Sequence, residues 1–293
     1  MTDRMLLIPR LLRVYQWPKN LLVLLPLVFA QEMDDARADL LALAAFAAFC
    51  LASSATYLVN DLHDLDQDRR HPDKKSRPLA SGRVSPAAAA LLAAALLAGA
   101  FAAGFPAGTP FLLSLAGYVL LSLSYTFLLK HVFLVDVLVV SLGFVIRATA
   151  GAVAIRVAFS NWLVVCTFFL ALFLVLGKRR REISLLQGEA ENHRAVLAHY
   201  TVNYIDHLLM FVAAGALITY TIYTCSPEVV DRLGTDKMYL TLPLVVYGIA
   251  RYLWLVQEKE SGGDPANILL SDWPIVVTVG LWVAACAAIL HLR

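Results

Sequence analysis

Charge is the scarcest property of this sequence. Only 16% of its 293 residues are Asp, Glu, Lys or Arg, against 60% hydrophobic, and its mean hydropathy is +0.70. A soluble chain of this length needs far more polar surface to cover itself, so a water-soluble enzyme is excluded and a polytopic membrane protein is expected. Cysteine is sparse too. Cys50, Cys166, Cys225 and Cys286 have no metal-ligand spacing and imply no disulfide framework. No small-residue cleavage site follows the first apolar run, so a removable signal peptide is not expected. Period-2 alternation is missing from the Ala/Leu/Val/Phe runs, which excludes a β-barrel.

What the chain has is apolar segments of membrane-crossing length. A helix needs about 20 apolar residues to span the hydrocarbon core. Nine segments qualify, roughly 11–31, 40–60, 87–105, 109–130, 132–155, 160–177, 205–225, 238–256 and 273–292. The fourth and fifth are separated only by Lys130 and His131, which predicts a tight helical hairpin. Nine crossings put eighteen Lys and Arg residues on the side of the N-terminus and five on the other. Positive charge stays in the cytosol, so the N-terminus and the charged loops at 60–86 and 178–205 are expected there, in a cell membrane.

The rare acids are not scattered. Residues 57–82 read YLVNDLHDLDQDRRHPDKKSRPLASG, with Asp61, Asp64, Asp66 and Asp68 directly followed by a basic run. At about 100° per residue, Asp61, Asp64 and Asp68 fall within about 60° of one another on a helix, with Asn60 at the edge. Asp66 and His63 point elsewhere. Three carboxylates on one face at a lipid boundary repel each other and need a cation. Hard oxygen ligands suit Mg²⁺, which readily shares phosphate oxygens. The bland alternative is a solvated acidic loop; helical spacing, the end of an apolar span and the adjoining basic run weigh against it.

The segment Asn60-Asp61-x-x-Asp64-x-x-x-Asp68 resembles the N-D-x-x-D-x-x-x-D motif of the UbiA-type intramembrane prenyltransferases. The resemblance covers essentially the whole chain. It implies an all-α UbiA-like bundle of nine transmembrane helices with a cytosolic cap, forming one domain over residues 1–293. It also implies an enzyme that holds an isoprenoid diphosphate through Mg²⁺. One family feature is missing. The usual second D-x-x-x-D motif has no counterpart, because no Asp occurs from Ser160 to Ile205, and the loop opens instead with Lys178, Arg179, Arg180, Arg181 and Glu182. Such a run suits extra anionic groups, although it also fits an anchor for lipid headgroups.

Further segments resemble the decaprenyl-phosphate phosphoribosyltransferase branch, among them YQWPKNLLVLLPL (15–27), SYTFLLKHVFLVDVLVVSLGFVIRATAGAVA (124–154), GKRRRE (177–182) and SGGDPANILLSD (261–272). That branch moves 5-phosphoribose from phosphoribosyl diphosphate to a polyprenyl phosphate, toward arabinose-containing cell-wall polysaccharide. The resemblance therefore implies membrane lipid and phosphoribosyl diphosphate as partners, and no nucleic acid. Asn60, Asp61, Asp64 and Asp68 become the metal and diphosphate ligands. Lys19, Asn20, Lys75, Arg77, Lys178, Arg179 and Glu182 become substrate contacts, and Tyr125 and Lys130 join the catalytic group through a Y-x-x-x-L-K pattern.

Asp136 and Arg147 lie inside an apolar run, and buried charge there marks function by default. They are about three turns apart and cannot pair. Lys130 is the expected partner of Asp136, and Arg147 is expected to meet a phosphate or a buried carboxylate. Gly143 and Gly151 are expected to let this helix pack closely. The 258–272 loop, with Glu258, Glu260, Asp264 and Asp272, reads as part of a lid. Two rival functions stand beside the phosphoribosyltransferase: a conventional prenyltransferase acting on an aromatic acceptor, and a transporter or lipid scaffold, which the one-sided polar chemistry disfavours.

Overall fold

In a bilayer every backbone N–H and C=O must be bonded within its own segment, so apolar runs of this length fold as helices. The computed structural model describes residues 7–29, 35–71, 74–158, 160–186, 199–258, 268 and 271–291, and among them there is no strand. Short helices α1 (Leu7–Leu11) and α2 (Leu25–Phe29) flank a 3-10 stretch, Val14–Leu24. Next come α3 (Ala36–His63), α4 (Leu65–Arg70), α5 (Pro86–Gly104), α6 (Thr109–Phe127) and α7 (Val135–Ile155). The chain continues with α8 (Asn161–Leu186), α9 (Val202–Cys225), α10 (Pro227–Leu233), α11 (Leu242–Gln257) and α12 (Trp273–His291).

Among the described residues, eight helices are long and apolar enough to cross a membrane, and they match the second to ninth expected spans. The first expected span is not one long helix. Pro18 lies within its 3-10 stretch, and proline offers no N–H to a helical ladder. Arg13, just before it, is left-handed at φ 51°.

The chain forms two compact units, residues 1–132 with 142–159, and residues 133–141 with 160–293. In the first, the small residues Ala45, Ala48 and Ala52 of α3 share a core with Ala100 of α5, and Phe49 packs edge-on against Phe111 at 6.0 Å. Small side chains let helix backbones approach, which increases van der Waals contact between helices in lipid. The expectation for Gly151 holds: a Cβ there would lie 2.0 Å from the Val23 carbonyl oxygen, so α7 presses on the backbone of the 3-10 stretch. Gly143 sits in ordinary contact only. In the second unit, α8 and α9 share a core built on Phe173, Leu176, Ile205 and Leu209. A Cβ on Gly215 would strike the Phe169 ring, and one on Gly177 the Tyr252 hydroxyl.

Candidate metal and diphosphate site

The acidic segment is not one straight helix. Helix α3 ends at His63, and Asp64 sits at the break with φ −92° and ψ 10°. Helical bonding nevertheless carries across, because Asp64 N–H donates to Asn60 O and Asp68 N–H donates to Asp64 O. Asp61 and Asp68 therefore still converge. They are 6% and 3% exposed, and one nitrogen, Arg77 Nη1, donates to Asp61 Oδ1 at 3.1 Å and to Asp68 Oδ2 at 2.6 Å. The chain after α4 returns through a 3-10 turn at Lys74–Ser76, and buried Leu79 pins the segment that carries Arg77. Lys74 Nζ lies 3.9 Å from Asp68 Oδ1.

Two more cations complete the cluster. Arg13 donates from Nη2 to Asp61 Oδ1 and stacks 4.8 Å over the Tyr57 ring, one turn earlier on α3. Lys130, in the 3-10 turn after α6, donates to Asp64 Oδ1 at 2.5 Å. Thr126 presents its hydroxyl to Asn60 Oδ1 at 3.4 Å. As expected, Asp66 faces away; it is exposed and bonds Arg69. His63 does not: its ring stacks on Phe127, and its Nδ1 lies 4.0 Å from Asp64 Oδ1. Lys19 and Tyr125 are half-buried, and Lys75 is exposed.

Deeper along α3 lies a second polar group. Asn20 is fully buried and donates to Ser53 Oγ at 3.2 Å, eight residues or about 12 Å of helix before Asp61. Arg147 donates to Asn20 Oδ1 at 2.8 Å, to Tyr118 OH at 2.7 Å and to Gly143 O at 3.0 Å. A buried carboxylate was an expected partner for Arg147, yet all three acceptors are neutral. Three of its five N–H donors are used, which leaves two for an anion.

In the second unit Asp136 is fully buried, and its partner is Arg179 rather than Lys130. Tyr200 OH donates to Asp136 Oδ1 at 2.6 Å and accepts from the Leu134 N–H at 3.0 Å. Burial raises the Tyr200 pKa above its usual value, and the hydrogen bond to Asp136 and that carboxylate's charge raise it further. Arg179 also bonds Glu182 Oε2 at 2.6 Å. Arg180 grips Asp206 at 2.6 and 3.3 Å and donates to the Val256 carbonyl at 2.7 Å. The first part of the expected basic loop is thus the end of α8, with Arg179 and Arg180 turned inward onto acids and Lys178 exposed, and residues 187–198 of that loop lie outside the described residues. In the expected lid segment, Asp272 pairs with Arg251 at 2.9 Å, while Glu260 and Asp264 lie outside the described residues.

Sequence reasoning missed Arg13, Tyr118, Tyr200 and the Arg180–Asp206 pair. Asp206 follows directly on the Asp-free stretch. Arg13 carried no signal beyond its place among the positive charges, since a left-handed arginine cannot be read from hydropathy.

The donor set fits a hard divalent ion: buried carboxylate oxygens and an amide, with no thiolate to favour a softer metal. Among the described residues, no three His, Cys, Asp or Glu side chains are grouped closely enough to hold a metal as they stand. The cation that the acids require is supplied by guanidinium and ammonium groups, with Arg77 between Asp61 and Asp68.

The pattern of the UbiA prenyltransferase family matches residues 21–271. The chain is 31% identical to the decaprenyl-phosphate phosphoribosyltransferase of Mycolicibacterium smegmatis, over 95% of this chain and 91% of that protein. It is 34% identical to the protein of the same name from Corynebacterium glutamicum, over 93% and 83%. Among solved structures, a UbiA homolog from Archaeoglobus fulgidus bound to DMAPP and Mg²⁺ superposes with a TM-score of 0.75 at 19% identity, covering 98% of this chain and all of that one.

Proposed function

The chain belongs to the UbiA prenyltransferase family, and from that premise we propose that it is a Mg²⁺-dependent phosphoribosyltransferase acting on a polyprenyl phosphate. The observation that carries this reading is the convergence of Asp61 and Asp68 on one cation beside three further basic groups. Acids alone would serve a metal. Acids interleaved with Arg13, Arg77, Lys74 and Lys130 serve a metal together with an anion-rich donor. The names of the similar proteins support the same chemistry.

Asn60, Asp61, Asp64 and Asp68 hold the metal, which when bound neutralises the departing diphosphate. Arg77, Lys130, Lys19 and exposed Lys75 bind phosphate oxygens, and Tyr125 lines the donor site. Arg147, deeper in the same unit, offers its spare donors to a phosphate, and Asn20, whose amide donates to Cys50 and Ser53, orients that guanidinium through its Oδ1. In the reaction an oxygen of the lipid phosphate forms a bond to C1′ as the C1′–O bond to diphosphate breaks, the electron pair leaving with the diphosphate. Attack comes from the face opposite the leaving group, so C1′ inverts. The acceptor is already an anion and needs no strong general base.

In the second unit, exposed Lys178 is the cation offered to an anionic group. Asp136, Arg179 and Glu182 lock the end of α8. The charged segments lie on the cytosolic side of a cell membrane, and residues 1–293 act as one domain. The product is a lipid-linked 5-phosphoribose, a precursor for arabinose-containing cell-wall polysaccharide. The test uses purified protein with Mg²⁺, labelled phosphoribosyl diphosphate and polyprenyl phosphate, beside a parallel reaction of labelled prenyl diphosphate with an aromatic acceptor. Label entering lipid in the first reaction supports the proposal. Transfer only in the second makes the chain a conventional prenyltransferase.

A further inference from the structure

The acidic cluster does not carry the charge deficit that its sequence promises. Asp61, Asp64 and Asp68 face Arg13, Arg77, Lys74 and Lys130, so cations outnumber carboxylates. A divalent ion entering alone would have to displace guanidinium groups from buried carboxylates, and it would leave excess positive charge where the dielectric is low. A divalent ion entering with a diphosphate brings its own compensation. Guanidinium groups match phosphate oxygens at least as well as carboxylate oxygens. Both arginines donate to the same atom, Asp61 Oδ1. Arg13 is held there from a left-handed backbone, a conformation costly for a residue with a Cβ and typical of functional positions.

We propose that Arg13 and Arg77 are placeholder cations, which hold the metal-binding carboxylates in the unliganded protein and pass to the diphosphate when it arrives. The divalent ion therefore enters only as its diphosphate complex. Arg13 becomes a further substrate-binding residue, contacting the diphosphate. The inference rests on the metal–diphosphate reading of this site but not on which group is transferred.

The test is Mn²⁺ binding to the full chain in lipid nanodiscs, read by electron paramagnetic resonance, with and without inorganic pyrophosphate. The wild-type protein takes up Mn²⁺ at least about tenfold more tightly with pyrophosphate than without it. Arg77→Gln and Arg13→Gln shift the two conditions in opposite directions: Mn²⁺ alone binds more tightly, and Mn²⁺ with pyrophosphate binds more weakly. Arg77→Lys, which keeps the charge, leaves binding of Mn²⁺ alone near wild type. Equal Mn²⁺ affinity in the two wild-type conditions overturns the proposal, and that comparison stands even if a variant does not fold. A shift of both conditions in the same direction overturns it too. Opposite shifts in a protein that transfers no phosphoribose would uphold the placeholder role while rejecting the proposed reaction.

Discussion

Lys130 reaches back 66 residues along the chain to place its ammonium 2.5 Å from Asp64 Oδ1. Both side chains are mostly shielded, at 6% and 14% exposure. The pair joins the 3-10 turn after α6 to the break between α3 and α4. Asp64 is the middle acid of the motif, and the two acids on either side of it, Asp61 and Asp68, meet at Arg77.

Breaking a buried pair from one side leaves an uncompensated charge and costs about 3–5 kcal/mol. Lys130→Met should therefore lower thermal stability in detergent markedly. Asp64→Asn/Lys130→Met should recover most of that loss, since neither charge remains. The double variant should still be inactive, because Asp64 is assigned to the metal. Recovery of transfer along with stability would remove Asp64 from the site.

Arg179 and Asp136 present the same test in the second unit, where Asp136 is fully buried. Arg179→Met should destabilise by about 3–5 kcal/mol, and Asp136→Leu/Arg179→Met should restore much of it. The restored variant should keep the wild-type KM for phosphoribosyl diphosphate. A raised KM in a stable double variant would return Arg179 to the substrate.

Tyr200 should make stability fall in alkali. Its phenol is held protonated in the folded chain by burial and by Asp136, while the unfolded chain releases that proton near the ordinary value of 10.0. The folded state then binds more protons than the unfolded one, so stability declines as pH rises above that value. Tyr200→Phe should flatten the decline in a denaturation series from pH 9 to 11 while costing about 1 kcal/mol at neutral pH for the lost hydrogen bond. An unchanged slope would show that this phenol does not govern it.

Gly151→Ala places a methyl group where the Val23 backbone carbonyl already stands. Neither backbone can yield cheaply, so a loss of about 1–3 kcal/mol is expected, visible as a lower melting temperature. Gly143→Ala, which meets only ordinary contacts, should be close to neutral and serves as the control.

The long spans were legible because bilayer thickness leaves apolar runs almost no other fold. The first span misled because hydropathy does not register Pro18 or the left-handed Arg13. The Asp face was legible from its spacing alone, and two of its three acids do converge. Their neutralisation by protein cations was not, because Arg13 and Lys130 come from 48 and 66 residues away and meet the acids only through packing. Nearness along the chain likewise offered Lys130 to Asp136, whereas the fold supplies Arg179 from 43 residues away.

The most direct measurement follows two phosphorus labels in one reaction. Phosphoribosyl diphosphate labelled at the 5-phosphate and, separately, at the β-phosphate is incubated with the protein, Mg²⁺ and polyprenyl phosphate, and the lipid phase is counted. Phosphoribosyl transfer carries the 5-phosphate label into lipid and leaves the β-phosphate label in water as diphosphate. Folded protein that leaves both labels in water, or carries the β-phosphate into lipid, contradicts the proposed reaction.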